Sequence, residues 1–550
     1  MGPMLIRRRN RPTGGFDSFV YESRGVSIIL DGTITNLREL QKGSSGKGLP
    51  ALIVELYEKH GPDFPNLLRG NFCGIVHDDS AKRTLAFTNH LGTRPLYYAT
   101  DAKSGDMAFS TDFYSLSGLM GELKLSKAVE PSSAYALLSF GYMLDDRTLI
   151  QGAKRLRPGT SLCIGRRGVF EHRYFSYSNQ ERDIGEREAV EKFYDLFMQA
   201  VKRGFEKDLE YGRKHICLLS GGLDSRMIAF AAARLGYSDT LTLTFGQSAS
   251  LDDQIAKDIS VDLGFDHLFM PLDGGNYLLD TKTPLRNNGG LIIYAGAAHA
   301  VRAYGRMDWQ SLGLLHNGNL ADISHGDYVD GNAHSAPSAR MWAYSTRLLH
   351  RIEDETKAVM ASYPNQEAFA VNTRGINGIM NGSYSALPYT ETDEPFLDID
   401  LVRFASSLPP RFKKGERLFL LMIGDRFPEA LKYPWQRWNL RPTMRNYRIA
   451  SGFAFKLFKR ARMELQGLLS RKKAPRFDMN PMGYWMRANP ALSAGLHARY
   501  ETLARESDLP GELLDDCRSL ASSGNPLELC QALTLLEAEQ ELGLSGSGLA

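Results

Sequence analysis

A chain of 550 residues is long for one hydrophobic core, since cores stop growing at roughly 250–300 residues, and two packed domains are expected. Hydrophobic residues at 43% and charged residues at 23% exclude the composition of a disordered chain. The net charge of +3, from 66 basic and 63 acidic side chains that are scattered apart from clusters such as Arg7-Arg8-Arg9 and Arg471-Lys472-Lys473, argues against nucleic acid as the main ligand.

From Val26 to about Phe175 the apolar runs are short and bounded by turn residues: Val26-Leu30, Gly70-His77, Leu85-Thr88 and Arg94-Tyr98 read as strands. One helical stretch interrupts them, Ala51-Lys59, with Leu52, Ile53 and Leu56 on one face. The polar stretch Ser176-Gly185 lacks periodicity and reads as a linker into a long helix from Glu186 to Gly204. Strands and helices then alternate: His215-Leu219, a turn at Ser220-Ser225, a helix at Arg226-Leu235, strand Leu241-Phe245, helix Asp252-Leu263 and strand His267-Pro271. That order predicts a doubly wound parallel sheet with ligands at the carboxyl ends of its strands. From about Asn276 the chain reads mainly helical, apart from an apolar run at Ser311-Leu315.

Five cysteines (Cys73, Cys163, Cys217, Cys517, Cys530) show no metal or disulfide spacing, which fits a reducing cytoplasm. No apolar run reaches the roughly 18–20 residues of a membrane helix, and the basic start has no apolar export segment. The chain is therefore read as cytoplasmic, with no membrane partner.

The segment His215-Ile-Cys-Leu-Leu-Ser-Gly-Gly-Leu-Asp-Ser-Arg226 carries the most chemistry. A buried strand runs through Leu219 into Ser220, Gly221 and Gly222 and straight on to a helix. Glycine N–H groups, the hydroxyls of Ser220 and Ser225 and the helix N-terminus make an anion site. Its spacing is neither GxxxxGK[ST] nor GxGxxG. SGGLDS resembles the pyrophosphate loop of the N-type ATP pyrophosphatases, and that resemblance implies ATP as the nucleotide, PPi as a product and Asp224 as a ligand of Mg²⁺.

Beyond this loop the second half resembles asparagine synthetase and its relatives, the β-lactam synthetases and lasso-peptide cyclases. The pieces are Ser220-Ser225, Thr244-Phe-Gly246 followed by Asp252, Asn317-Gly-Asn-Leu-Ala-Asp322, and Glu391-Thr-Asp-Glu-Pro-Phe-Leu-Asp398 with Leu408-Pro-Pro410. The resemblance implies nucleotide contacts from Leu219, Phe245, Asn317 and Gly318, with Asp322 joining Asp224 on the metal. Glu391 would take a proton from the attacking amine, and Arg437, beside Lys432 and Arg441, would stabilise charge on the leaving phosphates. Asn319 departs from the acidic or aromatic residue usual there, while Asp398 reads as a helix cap.

The first half resembles the class II glutaminase domain of the same enzymes, through Asp31-Gly-Thr-Ile-Thr-Asn36, Leu68-Arg-Gly-Asn-Phe72, Leu91-Gly-Thr-Arg-Pro-Leu-Tyr97 and Leu156-Arg-Pro-Gly159. Its chemistry needs a cysteine at residue 1 or 2. Here Met1 starts the chain, Cys73 is the first cysteine, and Leu49 lies where the family binds glutamine with an aspartate. The fold class implied is an α+β Ntn-hydrolase-like sandwich over 1–180, degenerate as a glutaminase, then an α/β PP-loop synthetase domain over 181–550 with a largely helical C-terminal part.

The resemblance implies an AMP-forming ligase that adenylates a small-molecule or peptide carboxylate and passes it to ammonia or an amine. A homodimer is compatible with it. The alternatives are an intramolecular cyclase of the β-lactam synthetase or lasso-peptide type, and a non-catalytic ATP-binding scaffold. Transfer RNA modification is disfavoured by the lack of a basic stripe.

Overall fold

A computed structural model describes residues 4–8, 16–42, 48–101, 104–326, 328, 335–452 and 474–546; Met1, Arg9 and the cluster at 471–473 lie outside them. No helix among the described residues is long and apolar enough to cross a membrane.

The described residues of the first half form ten strands: β1 (Met4–Arg7), β2 (Phe19–Ser23), β3 (Val26–Gly32), β4 (Phe72–Asp78), β5 (Arg83–Thr88), β6 (Tyr97–Thr100), β7 (Met107–Ser110), β8 (Ala153–Arg155), β9 (Thr160–Gly165) and β10 (Gly168–Arg173). They form a six-stranded antiparallel sheet, β10-β9-β5-β4-β3-β2, and a four-stranded sheet, β1-β7-β6-β8. The period-2 pattern sorts residues to opposite faces. Val76, Leu85 and Phe87 meet the helix Leu49–His60, whereas Cys73, Ile75 and Ala86 meet Tyr98, Met107 and Phe109 of the smaller sheet. Two sheets are thus packed face to face. The Arg94-Tyr98 segment is a strand only from Tyr97 onward, because Arg94 is turned into an ion pair described below.

The outer face of the smaller sheet, through Tyr97, Ala99 and Ala108, packs on the helices Phe113–Glu122 and Pro131–Phe140, and these share a core with Leu529, Leu533 and Leu536 of the helix Pro526–Leu542. One apolar core therefore unites the beginning and the end of the chain.

The second sheet system is all parallel: β13 (Asp266–Pro271), β12 (Thr240–Gly246), β11 (Lys214–Leu218), β14 (Leu312–His316) and β15 (Thr392–Asp393), in that spatial order. Its strands are covered on both faces. Cys217 packs with the helices Glu186–Glu210, Leu223–Arg234 and Leu251–Leu263, while Ile216 and Leu243 pack with Ala295–Tyr304. The sequence reading missed β15, which is too short to show a period. The cap at Asp398 is present, its carboxylate accepting from the Asp400 N–H ahead of the helix Ile399–Ser406.

Beneath this sheet lies a buried polar chain. Asp208 Oδ2 is 2.8 Å from both His215 Nδ1 and His316 Nε2, and His316 Nδ1 is 2.8 Å from Asp393 Oδ2. Glycine at 313 and 204 makes the room, since a Cβ there would lie 2.2 Å from Asp208 Oδ1 and 2.1 Å from Asp393 Oδ2. Burial opposes charge on His316, but Asp208 and Asp393 outweigh it and raise its pKa to about 9. A pKa raised on folding stabilises the fold fully below the unfolded value, roughly 6.5, and that contribution fades as pH rises through 9. We expect unfolding free energy to fall by on the order of 3 kcal/mol between pH 6.5 and 9 from this group alone. Urea titrations at several pH values, compared with His316→Gln, measure it; a slope unchanged by the substitution would show that His316 is neutral in the fold.

Candidate functional site

Strand β11 ends at Leu218, and the loop from Leu219 to Gly222 leads into the helix that opens at Leu223. The sheet pins the loop's first residue: Leu219 N–H donates to Leu243 O at 3.0 Å, and Thr244 Oγ1 donates to Leu219 O at 2.6 Å. Ser220 and Ser225 join their hydroxyls at 3.0 Å, and the Ser220 and Gly222 N–H groups each donate to one of these hydroxyls at 3.1 Å. Gly221 N–H donates to Asp252 Oδ1 at 2.9 Å, and burial raises the pKa of that carboxyl. Behind the loop, fully buried Arg226 donates to four carbonyls: Gly221, Ala430, Tyr433 and Pro434. Desolvation lowers its pKa to about 10, so it remains a cation at neutral pH. It ties the loop to the segment carrying Gln436 and Arg437.

The 317–322 loop comes from β14, the next strand over, and Gly318 fits it against the first. A Cβ at 318 would lie 2.6 Å from Ser225 N and 2.8 Å from Asp224 Cβ, so only glycine allows this approach. Leu320 then takes a left-handed conformation (φ 61°) and starts the short helix Ala321–His325 that bears Asp322. His325 Nε2 is 3.2 Å from Asp224 Oδ1, and its ring stacks on Phe419 at 4.8 Å. Burial works against its charge, but Asp224, Glu416 and Asp322 raise its pKa to about 10. Asp224 and Asp322 thus act on one imidazolium, although 98 residues separate them in sequence (322 − 224).

Arg437 Nη1 donates to Glu416 Oε1 at 3.2 Å and lies 5.7 Å from the rings of Trp435 and Trp438, next to Gln436, whose N–H donates to Gly221 O. Lys432 is turned away, paired with Asp262 on the helix Leu251–Leu263. Phe245, at the end of β12, is near the rings of His299 (5.6 Å) and Tyr304 (5.9 Å). With Leu218 and Asn319 it lines a cavity of about 280 Å³ at the carboxyl ends of β11 and β12, where a parallel sheet is expected to bind its ligand.

Two residues have roles other than those expected. Asn317 is buried and its side-chain amide donates to Leu315 O and Glu394 Oε1 while its oxygen accepts from Asn319 N–H, so it shapes the loop and does not offer its side chain to a nucleotide. Glu391 is 1% exposed, with Oε2 accepting from Arg94 Nη1 at 3.0 Å. Arg94 also donates to Asp31 at 2.6 Å, so Glu391 belongs to a buried Asp31–Arg94–Glu391 ion network joining the two halves, and this geometry does not present it to an attacking amine.

The carboxyl that sequence reasoning missed is Glu394, three residues on. Burial pushes its pKa up to about 7, against the hydrogen bonds from Asn317, Thr392 and Asn71. Its Oε2 accepts from Asn71 Nδ2 at 2.7 Å, placing it at the contact between front sheet and synthetase-like loop. A carboxyl titrating near neutrality suits proton transfer. The signal was the second acid of Thr-Asp-Glu-Pro, which no periodicity marks.

Residues 12–175 match the family model of a glutamine amidotransferase domain, and residues 192–282 match that of asparagine synthase. A probable glutamine-hydrolysing asparagine synthetase of Acanthamoeba polyphaga mimivirus is 23% identical over 381 residues, covering 66% of this chain and 62% of that protein. A second, of Dictyostelium discoideum, is 24% identical over 230 residues, covering 40% and 35%. The amidase chry2 of Gibberella zeae is 22% identical over 323 residues, covering 52% and 46%. The aligned part spans less than two-thirds of each relative's own length. The chain thus carries, in succession, a segment similar to glutamine amidotransferase domains and one similar to asparagine synthase, and it is similar along much of its length to named asparagine synthetases.

Proposed function

We propose that this chain is an ATP-dependent carbon–nitrogen ligase. A substrate carboxylate attacks the α-phosphate of ATP, PPi leaves, and ammonia or an amine then displaces AMP from the acyl-adenylate. The carrying observation is the interlock at Gly318, which sets the loop bearing Asp322 against the start of the helix bearing Asp224. Mg²⁺ typically takes one or two carboxylates plus phosphate oxygens, and these two residues are the pair that would hold it; when bound it would neutralise charge developing on the phosphates. Ser220, Ser225 and the N-terminus of the helix Leu223–Arg234 would hold the departing pyrophosphate, with Arg437 adding fixed positive charge.

We read residues 1–180 as an Ntn-hydrolase-like domain that packs on the synthetase unit of 181–550 and does not hydrolyse glutamine itself. Supporting this, all five cysteines are buried, and Cys73 Sγ lies in a strand 3.5 Å from Pro95 O, where no thiolate can reach a substrate.

Incubation with ATP, Mg²⁺, ammonium and candidate acids should yield AMP and PPi, and glutamine should neither replace ammonium nor give glutamate. ADP and phosphate as products would refute the ligase reading. Glutamate release would instead restore an active glutaminase.

A further inference from the structure

The 280 Å³ cavity at the strand ends carries a group that the phosphate chemistry does not use. Arg374 stands on its wall, on a π-helical stretch, Val371–Ile379. Such stretches are rare and concentrate at functional sites. Its Nη1 donates to the Tyr344 hydroxyl at 2.7 Å, and its guanidinium lies 5.2 Å from the Tyr344 ring and 6.0 Å from that of Tyr142. Among the described residues no carboxylate forms an ion pair with it. The buried arginines elsewhere are answered: Arg94 and Arg203 by carboxylates, Arg226 by backbone carbonyls, and Arg155 by the carbonyls of Gly92 and Ile376 with Asn377 and Tyr384. A guanidinium whose neighbours among the described residues are aromatic rings and a hydroxyl, facing a cavity, is arranged for an anion that arrives from outside.

The other polar groups set the direction. Asn319, one residue past Gly318 and so beside the phosphate loop, donates from its side chain to Ser383 Oγ at 2.7 Å. Ser383 lies nine residues beyond Arg374 on the same run of helix (383 − 374), about two turns along it. One end of the cavity thus adjoins the phosphates and the other is marked by Arg374. His299, also on the wall, is held neutral, burial lowering its pKa to about 4. Among the described lining residues there is no Asp or Glu to answer an ammonium group.

Resting on the ligase reading above, we propose that the acceptor is a dianion: an acid whose reacting carboxyl lies by Asn319 and whose second anionic group, a carboxylate or a phosphate ester, is bound by Arg374. An α-amino acid, whose ammonium finds no counter-charge here, is disfavoured.

The test uses the full chain and three probes of similar size: gluconate, glucarate and 6-phosphogluconate, with glutamate as the amino-acid control. Calorimetric binding in the presence of a non-hydrolysable ATP analogue should favour at least one dianion over gluconate and glutamate by tenfold or more. Arg374→Gln should abolish that preference while leaving nucleotide affinity unchanged, and Arg374→Lys should keep part of it. Whichever of glucarate and 6-phosphogluconate binds tighter identifies the second group. Equal affinity for all four probes, no binding of any, or an unchanged preference in Arg374→Gln overturns the proposal. ATP–PPi exchange separates the two readings. Arg374-dependent dianion binding without any exchange would leave the anion site standing and remove the ligase, whereas exchange supported equally by gluconate would do the reverse.

Discussion

Asp224→Asn is expected to lower PPi formation from ATP about a thousandfold, corresponding to ~4 kcal/mol of lost transition-state stabilisation. Asp322→Asn should act in the same direction. The reason is geometric. Gly318 allows the two acid-bearing segments to meet, and both carboxylates act on His325, so the fold brings two acids from distant parts of the chain to one imidazolium. Such an arrangement is useful where a cation and phosphate oxygens complete it. Asp224 is the more solvent-accessible partner of its pair with His325, at 36% against 3%, but it is also the first of the charges that raise the His325 pKa, so its loss should lower the melting temperature as well as PPi release without unfolding the chain. The measurement is PPi release at rising Mg²⁺ concentration, with a melting curve for each variant. Near-normal release by either protein would mean that the metal is held elsewhere.

Arg94→Met is expected to cost about 3–5 kcal/mol of stability. Arg94 is 1% exposed and bridges Asp31 of β3, at 2.6 Å, to Glu391, which precedes β15, at 3.0 Å. Removing the guanidinium leaves two carboxylates buried without this partner, and their desolvation is then uncompensated. The triple variant Asp31→Asn, Arg94→Met, Glu391→Gln should recover much of the loss, since it removes the charges together. Urea unfolding of the native, single-variant and triple-variant proteins distinguishes this from a packing effect: equal destabilisation of single and triple variants would assign the cost to lost volume. Other buried or half-buried pairs cross the same junction, Arg69 to Asp400 and Lys207 to Asp17 among them, which is why the Arg94 variant should weaken the fold without separating its halves.

Four of the five strands of the parallel sheet, the strand–loop–helix turn at 219–222, the Asp398 cap and the helix before Gly61 were readable from the residues, because each depends on a local period or a short-range hydrogen bond. The loop at 317–322 was readable as a motif, and its glycine proved to be the contact point. What escaped were groups whose meaning depends on partners far away in the chain. Glu391 and Glu394 are both acids in one short stretch, and nothing local says that one meets Arg94 from 297 residues away while the other meets Asn71 and Asn317 and titrates near 7. Arg374 and His299 lie in helical sequence with no motif at all, and become conspicuous only because a cavity forms beside them. Local backbone preference and hydrophobic period, which act over a few residues, therefore determined the elements and the phosphate loop. Burial and charge pairing, which act only once distant segments are packed, decided which acids are partners, which carboxyl has its pKa raised toward neutrality, and which arginine is left facing the cavity.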